Sequence, residues 1–158
     1  MVLGKVAIIR YPGSNCDIET KDYFKDIFGP DCDPFYIWHK WDNVVLYNVK
    51  LIVLPGGFAF GDRVYDKATS KYKISPGTMA LESPVTKLIL KAVESNIPIL
   101  GICNGFQILT QMNLLPGKLV LNDCKKFVCK KEKVNVIYHA VPHEVELCIA
   151  NSYGKYIH

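Results

Sequence analysis

The sequence predicts an α/β fold with a mostly parallel central sheet covered by helices on both faces. Short, nearly continuous apolar runs, typical of strands buried on both faces, alternate with segments whose apolar residues recur at helical spacing. Three of these runs end in glycine-rich stops, as strands do where they turn into loops. The 158 residues, 49% of them hydrophobic, are enough for a real core. We therefore predict a single domain spanning residues 1–158.

The first part of the chain is predicted to fold as strand, helix, strand, strand. The run KVAIIR at residues 5–10 is a buried strand stopped by Pro-Gly, and a helix follows over residues 15–28 until Gly-Pro ends it. The segments DPFYIWH at residues 33–39 and VKLIVL at residues 49–54 are the next two strands.

The second part begins with a polar segment, residues 61–84, which we interpret as a long loop or a partly helical insertion. Ser83 is then predicted to cap the helix SPVTKLILKAVESN. The strand IPILGIC and the helix NGFQILTQMNLL follow, and Pro-Gly closes that helix. Residues 118–150 alternate like short strands, which we expect to be antiparallel.

Composition argues against several classes of protein. The net charge of +4 comes from scattered lysines, so nothing requires a nucleic-acid partner, and the lysines between residues 125 and 133 are expected to form a solvated face. No apolar stretch approaches the length of a membrane helix, and no signal peptide is evident, so we expect a cytoplasmic protein. The six cysteines form no C-x-x-C pair, so we expect reduced thiols and no metal site.

The segment ILGICNGFQ contains the strongest chemical signal. A Gly-x-Cys-x-Gly turn between a strand and a helix is typical of a nucleophile elbow, and here Gly101 and Gly105 flank Cys103. The N-terminus of the following helix favours negative charge and offers N–H groups, beginning with that of Asn104, to an oxyanion. The alternative is a small buried thiol. The flanking glycines and the strand-to-helix position favour a nucleophile.

Two further glycine-rich stops are expected at the same edge of the sheet. RYPGSN, LPGGFAFGD and GICNGFQ each follow a predicted strand, and ligands of open parallel sheets bind at the carboxyl ends of the strands. In LPGGF the N–H of Gly57 is a candidate second donor to an oxyanion above Cys103. The three loops together predict one site.

These motifs, in this order and spacing, resemble those of class I glutamine amidotransferases. More narrowly, RYPGSNCD, LPGGFAFGD and GICNGFQILTQMNLLPG are similar to the glutaminase subunits of phosphoribosylformylglycinamidine synthase, an enzyme of purine synthesis. YIWHK and LNDCKKFVCK also resemble that family, so the likeness covers nearly the whole chain. The resemblance implies a flavodoxin-like three-layer sandwich.

The resemblance also implies roles for individual residues. Cys103 would attack the side-chain amide of glutamine, release ammonia and form a thioester that water cleaves. The N–H groups of Gly57 and Asn104 would hold the oxyanion. The substrate-binding residues would be Gly56, Phe58 and Gln107.

The same resemblance implies the partners. The ammonia would pass to a large synthetase subunit, which uses ATP and Mg²⁺, and in many bacteria a small subunit bridges the two. No cofactor or metal is expected in this chain, and no membrane or nucleic-acid partner.

The general base is missing from the expected place. In the resembled family a Pro-His-Pro-Glu segment near the C-terminus supplies the histidine and the carboxylate, and this sequence has none. His39 is expected to be structural, His158 is terminal, and the PHEVE segment with His143 comes too early. His139 lies in the same strand-like region. We therefore expect a C-terminally truncated chain, which is either a fragment, a chain completed by a partner, or an incomplete glutaminase-like scaffold that binds the synthetase without turnover.

Two other classes fit less well. A redox-sensing cysteine protein of related architecture would have an acidic residue before the elbow, and ESNIPILGIC offers none at the end of the strand. A nucleotide-binding module would have a Gly-x-Gly-x-x-Gly loop, and the first turn YPGSNCD lacks it.

Overall fold

A four-stranded parallel sheet is the centre of the first of two units into which the chain divides. The computed structural model describes residues 4–61 and 75–158, and its units are Met1–Pro116 and Gly117–His158. The strands of the first unit are β1 (Gly4–Arg10), β2 (Cys32–Trp38), β3 (Val49–Leu54) and β4 (Ile99–Gly101). They pair in the order β2-β1-β3-β4, all parallel. This order is the one expected of a flavodoxin-like sheet, so the predicted α/β fold class is confirmed.

Helices cover both faces of this sheet. They are α1 (Asp17–Phe28), α2 (Val85–Glu94) and α3 (Asn104–Gln111). Successive residues of a strand project to opposite faces, and in β1 Ile8 belongs to one apolar cluster with Phe24 of α1. The neighbouring Ile9 belongs to the other cluster, which contains Ile89 of α2 and Ile108 of α3. The three layers explain why β1 is an unbroken apolar run.

Helix α2 shows how sequence spacing becomes packing. Val85, Leu88, Ile89 and Ala92 recur every three or four residues and are the buried residues of α2. Each buried Val, Leu or Ile contributes about 1.5–3 kcal/mol relative to an exposed position. This stripe therefore accounts for much of the stability that holds α2 on the sheet.

The start of α2 differs from the prediction, because Ser83 is not its cap. The N-cap position is Pro84, and no side chain caps the helix. Instead, the buried hydroxyl of Ser83 donates to the carbonyl oxygen of His39 (3.1 Å) and lies 2.7 Å from His39 Nδ1. Because a hydroxyl has a single proton, Nδ1 of His39 is the donor in the second bond. Ser83 thus joins the chain before α2 to the end of β2.

The segment predicted as a loop or partly helical insertion is described only in part. Residues 62–74 lie outside the described residues. Beyond them, Thr78–Glu82 forms a short 3₁₀ helix, in agreement with the partly helical interpretation.

The second unit is built from antiparallel strands, as predicted. β5 (Lys118–Val120) pairs with β8 (Lys155–Ile157), and β6 (Val128–Tyr138) forms a hairpin with β7 (Val141–Asn151). The two residues of the hairpin turn, His139 and Ala140, both have positive φ, as a type I′ turn requires. Among the described residues no helix is long and apolar enough to cross a membrane. The assignment of residues 1–158 to one domain stays a prediction.

Candidate active site

Cys103 stands on the turn between β4 and α3 in a conformation that L-residues avoid. Its φ is 53° and its ψ is −106°, and its side chain is exposed. A backbone held in such a region costs of the order of 1–3 kcal/mol and is found where the surrounding structure enforces it, often at functional sites. The alternative of a buried core thiol is therefore wrong, and the turn has the geometry of a nucleophile elbow.

The glycines on either side of Cys103 allow α3 to sit directly on the sheet. A Cβ on Gly105 would collide with the carbonyl oxygen of Leu54 at the end of β3. A Cβ on Gly101 would lie 2.7 Å from the carbonyl oxygen of Gly105. The N–H of Ile102 also bonds to the oxygen of Leu54 (3.0 Å). The Gly-x-Cys-x-Gly pattern thus fixes the elbow against the carboxyl end of β3.

The loop that follows β3 is held by the loop that follows β1. The N–H of Phe58 donates to the oxygen of Gly13 (2.8 Å), and the N–H of Asn15 donates to the oxygen of Gly56 (3.2 Å). Gly57 lies between these two bonds, opposite Ser14. The two residues form an antiparallel pair of the non-hydrogen-bonded kind, in which neither residue bonds to the other through its backbone. The pairing therefore does not use the N–H of Gly57, which is the donor proposed for the oxyanion.

Only glycine fits at position 57. Its φ is 139°, and a Cβ there would lie 2.5 Å from the backbone nitrogen of Asn15 and 2.7 Å from the oxygen of Gly13. Both contacts are with backbone atoms, which cannot swing aside as a side chain can. The close approach of the two loops therefore depends on Gly57.

The three loops meet around Gly56. A methyl group placed on Gly56 would lie 3.5 Å from Cβ of Cys103 and 3.5 Å from Sγ of Cys16. The predicted convergence of the three glycine-rich loops is thus confirmed. Cys16 is a member of the site that sequence reasoning did not assign, although its segment PGSNCD was among the motifs that predicted the site.

Asn104 makes side-chain bonds that its sequence position did not suggest. Its side chain is buried, with the residue 3% exposed, and Oδ1 accepts a hydrogen bond from the N–H of Ala59 (2.9 Å). Its Nδ2 donates to Oε1 of Gln107 one turn further along α3 (2.9 Å). Asn104 therefore joins the loop after β3 to the elbow helix and to the predicted substrate-binding amide.

Charged side chains lie on either side of the loop that follows β1. Arg10, at the end of β1, forms an ion pair with the buried Asp17 at the start of α1 (2.5 Å). Partial burial raises the pKa of the Cys16 thiol, and negative charge at Glu19, Cys103 and Asp17 raises it further.

Within residues 4–61 and 75–158, no three acidic, histidine or cysteine side chains are grouped to hold a metal ion.

His39 is the one histidine in the sequence of the first unit, and its ring is engaged elsewhere. Beyond its bond to Ser83, the ring packs edge-on against Trp38 and Phe60. Burial lowers the pKa of His39, and the nearby Lys40 lowers it further. Among the described residues, no hydrogen bond joins His39 to Cys103.

Comparison with known proteins agrees with this geometry. Residues 4–149 match the family model of the CobB/CobQ-like glutamine amidotransferase domain. The chain also superposes with a TM-score of 0.78 on a chain in the structure of PurLQS from Thermotoga maritima. That pair is 32% identical over 97% of this chain and 68% of the other. The resemblance identified from the sequence is thereby confirmed: the chain belongs to the family of CobB/CobQ-like glutamine amidotransferase domains.

Proposed function

We propose that this chain is a glutaminase subunit of phosphoribosylformylglycinamidine synthase, with Cys103 as its nucleophile. One observation supports this best. The loop after β3, which contains Gly56 and Gly57, packs against the strained turn at Cys103, with Gly56 next to Cβ of Cys103. An exposed thiol beside two sets of backbone N–H groups is the arrangement that acyl transfer requires.

In the proposed reaction, the Cys103 thiolate attacks the side-chain amide carbon of glutamine. The carbonyl oxygen becomes an oxyanion, which the N–H groups of Gly57 and Asn104 stabilise by hydrogen bonds. The C–N bond then breaks, the nitrogen takes up a proton and leaves as ammonia, and a γ-glutamyl thioester remains on Cys103. Water cleaves the thioester to give glutamate and restores the thiol.

Gly56, Phe58 and Gln107 are proposed to hold the substrate. Gly56 and Phe58 belong to the loop fixed by the backbone bonds to Gly13 and Asn15. Gln107 lies on α3 one turn beyond Cys103, so its side chain is on the same side of the helix as the elbow.

The proton of the thiol needs a base, and this requirement supports an alternative. His39 is bonded to Ser83 and packed among aromatic rings, so it is not placed as the partner of Cys103. The alternative function is therefore a scaffold that retains the glutamine site and binds the synthetase, but that does not turn glutamine over by itself.

The proposed pathway and partners rest on the comparison with PurLQS from Thermotoga maritima and on the sequence motifs. In this proposal glutamine is the substrate, a large synthetase subunit receives the ammonia and uses ATP and Mg²⁺, and a small subunit bridges the two. Formylglycinamide ribonucleotide is the acceptor, and the setting is the cytoplasm. The chain itself needs no metal or cofactor for these steps.

The test is covalent trapping with 6-diazo-5-oxo-L-norleucine, an electrophilic glutamine analogue. We expect mass spectrometry to find the label on Cys103, and we expect excess glutamine to prevent labelling. The Cys103→Ser variant should take no label at this position. The matched control is Cys16→Ser, which removes the neighbouring thiol and should leave the labelling of Cys103 in place.

Ammonia release from glutamine then separates the two functions. Release that Cys103→Ser abolishes indicates the enzyme, whereas glutamine-protected labelling without release, even with the synthetase present, indicates the scaffold. Labelling of Cys103 that glutamine does not prevent, or no labelling at all, would contradict both.

A further inference from the structure

Two exposed cysteines from different loops lie beside the same glycine. Cys16 directly precedes α1, and Cys103 stands on the turn before α3. A Cβ placed on Gly56 would lie 3.8 Å from Cβ of Cys16 and 3.5 Å from Cβ of Cys103. The two cysteine Cβ atoms are therefore at most 7.3 Å apart, the distance they would have on opposite sides of that point.

Backbone hydrogen bonds hold both cysteines in this position. The N–H of Cys16 donates to the oxygen of Gly56 (3.3 Å), and the oxygen of Cys16 accepts the N–H of Thr20 in the first turn of α1 (3.0 Å). On the other side, the N–H of Ile102 donates to the oxygen of Leu54 (3.0 Å), which keeps the elbow at the end of β3. The two thiols are thus neighbours because of the fold, whichever rotamer each side chain adopts.

The space beside Gly56 is where the two side chains approach each other. Leaving aside the chain neighbours of Gly56, the three described atoms nearest to a Cβ at that position all belong to these two cysteines. A disulfide joins Cβ atoms that are about 3.5–4.5 Å apart, so a movement of at most ~3 Å brings the pair into range. Cys16 precedes its helix with a φ of −109° and a ψ of 23°, so this movement breaks no turn of α1.

The two thiols also influence each other electrostatically. Partial burial is the largest cause of the raised pKa of Cys16, and negative charge at Cys103 contributes to it. A thiolate at Cys103 therefore favours the protonated form of Cys16. Because the thiolate is the form that reacts with peroxides, Cys103 is the sulfur that is oxidised first, and Cys16 is the neighbouring thiol that reacts second.

We propose that Cys103 and Cys16 form a reversible disulfide, with a hydroperoxide as the oxidant. The thiolate of Cys103 attacks one peroxide oxygen, the O–O bond breaks, and the other oxygen takes up a proton and leaves as water or an alcohol. The sulfur of Cys16 then attacks the sulfur of the Cys103 sulfenic acid. The S–O bond breaks, and the hydroxyl leaves as water with the proton of Cys16. The two sulfurs together lose two electrons, which the peroxide accepts.

The disulfide would protect the thiol that the proposed reaction uses. A sulfenic acid without a neighbouring thiol is oxidised further to sulfinic acid, which thiol reductants do not reverse, whereas a disulfide is reduced back to two thiols. In a reducing compartment such bonds are transient and regulatory rather than structural. The consequence for glutamine hydrolysis, a reversible block of the nucleophile, rests on the proposed function.

The direct test is disulfide mapping of the full chain after treatment with hydrogen peroxide. Remaining thiols are blocked with iodoacetamide, the chain is digested without reduction, and linked peptides are identified by mass spectrometry. We expect a linked pair that contains Cys16 and Cys103, formed within the monomer at a yield independent of protein concentration. Dithiothreitol should remove it. The matched control Cys148→Ser removes an exposed thiol of the β6–β7 hairpin and should leave the linked pair in place.

Two results of this experiment would overturn the proposal. One is the absence of the linked Cys16–Cys103 peptides in the oxidised wild type, and the other is a yield that rises in proportion to protein concentration. Dimedone, which traps sulfenic acids, tests the order of the two steps. It should label Cys103 more strongly in Cys16→Ser than in the wild type, and equal labelling would refute the role of Cys16 as the second thiol.

Labelling by 6-diazo-5-oxo-L-norleucine then measures the effect on the nucleophile, each variant being compared with its own untreated sample. In the wild type, peroxide should abolish labelling of Cys103 and dithiothreitol should restore it. In Cys16→Ser the loss should persist after dithiothreitol, and equal recovery in both would contradict protection by the disulfide. If the untreated wild type takes no label, the proposed function fails, and the linked peptides still decide whether the disulfide forms.

Discussion

Replacing Gly57 by alanine is the most direct test of how the loops form this site. A Cβ at position 57 would lie 2.5 Å from the backbone nitrogen of Asn15 and 2.7 Å from the oxygen of Gly13, so the two loops must separate. The φ of 139° is also one that alanine rarely adopts. Backbone strain of this kind costs about 1–3 kcal/mol. With the displacement of the loop added, we expect Gly57→Ala to lower the free energy of unfolding by ~3 kcal/mol.

Gly56→Ala is the matched control, one residue away. A Cβ there meets Cys103 and Cys16 at 3.5 Å, which is ordinary van der Waals contact, and the φ of Gly56 is not among the positive values. Loss of glycine flexibility in the unfolded chain stabilises by about 0.4–1 kcal/mol where the native conformation suits alanine. We therefore expect the free energy of unfolding of Gly56→Ala to stay within about 1 kcal/mol of that of the wild type.

Urea unfolding followed by tryptophan fluorescence measures both variants. The two tryptophans, Trp38 and Trp41, lie in the sequence of the first unit, so the signal reports the unit that contains the site. With a slope of ~1.5 kcal/mol per molar urea, Gly57→Ala should shift the midpoint down by ~2 M. Equal midpoints for Gly56→Ala and Gly57→Ala would refute the argument that backbone contact at position 57 determines the packing of the loops.

Two further predictions concern buried polar rings in the same unit. Burial and Lys40 lower the pKa of His39, so the fold favours the neutral ring; its stabilising effect is present above the ordinary pKa of about 6.5 and is lost as the pH falls. The urea midpoint should drop between pH 7.5 and 5.5, and the drop should be smaller in His39→Asn; an equal drop would contradict this. The buried hydroxyl of Tyr11 has no hydrogen-bond partner among the described residues, so Tyr11→Phe should leave the free energy of unfolding unchanged or raise it by up to about 1 kcal/mol. A loss of more than 1 kcal/mol in the same assay would show that the hydroxyl is bonded.

Much of the fold was predictable because its signals are local. The apolar run of β1 reflects burial on both faces, and the three-to-four spacing in α2 reflects burial of one stripe. The glycines around Cys103 are likewise required by nearby backbone, since the turn and the packing of α3 leave no room for a Cβ at Gly105. Patterns of this kind reflect the burial and the backbone space that each short segment requires, so they identified the strands, the helices and the elbow.

The cap predicted at Ser83 failed because a distant residue competes for its hydroxyl. His39 is 44 positions earlier in the chain, and the fold brings its carbonyl oxygen and ring nitrogen to Ser83. A serine before a helix is a good cap only when its hydroxyl is not hydrogen-bonded to another group. The sequence contains no sign of that competition.

The sequence by itself determined the parallel sheet, the elbow and the edge at which the three loops meet, because each depends on residue types within one short segment. Only the tertiary structure decided that Cys16 lies beside Gly56 and that the backbone of Gly57 lies close to that of Asn15. It also decided that the side chain of Asn104 accepts a hydrogen bond from the N–H of Ala59. These contacts join segments 40 or more positions apart, and a hydrogen bond between such segments requires atoms placed to within a few tenths of an ångström. Residue types can allow such a bond, but only the packing of the whole sheet and its loops brings the atoms together.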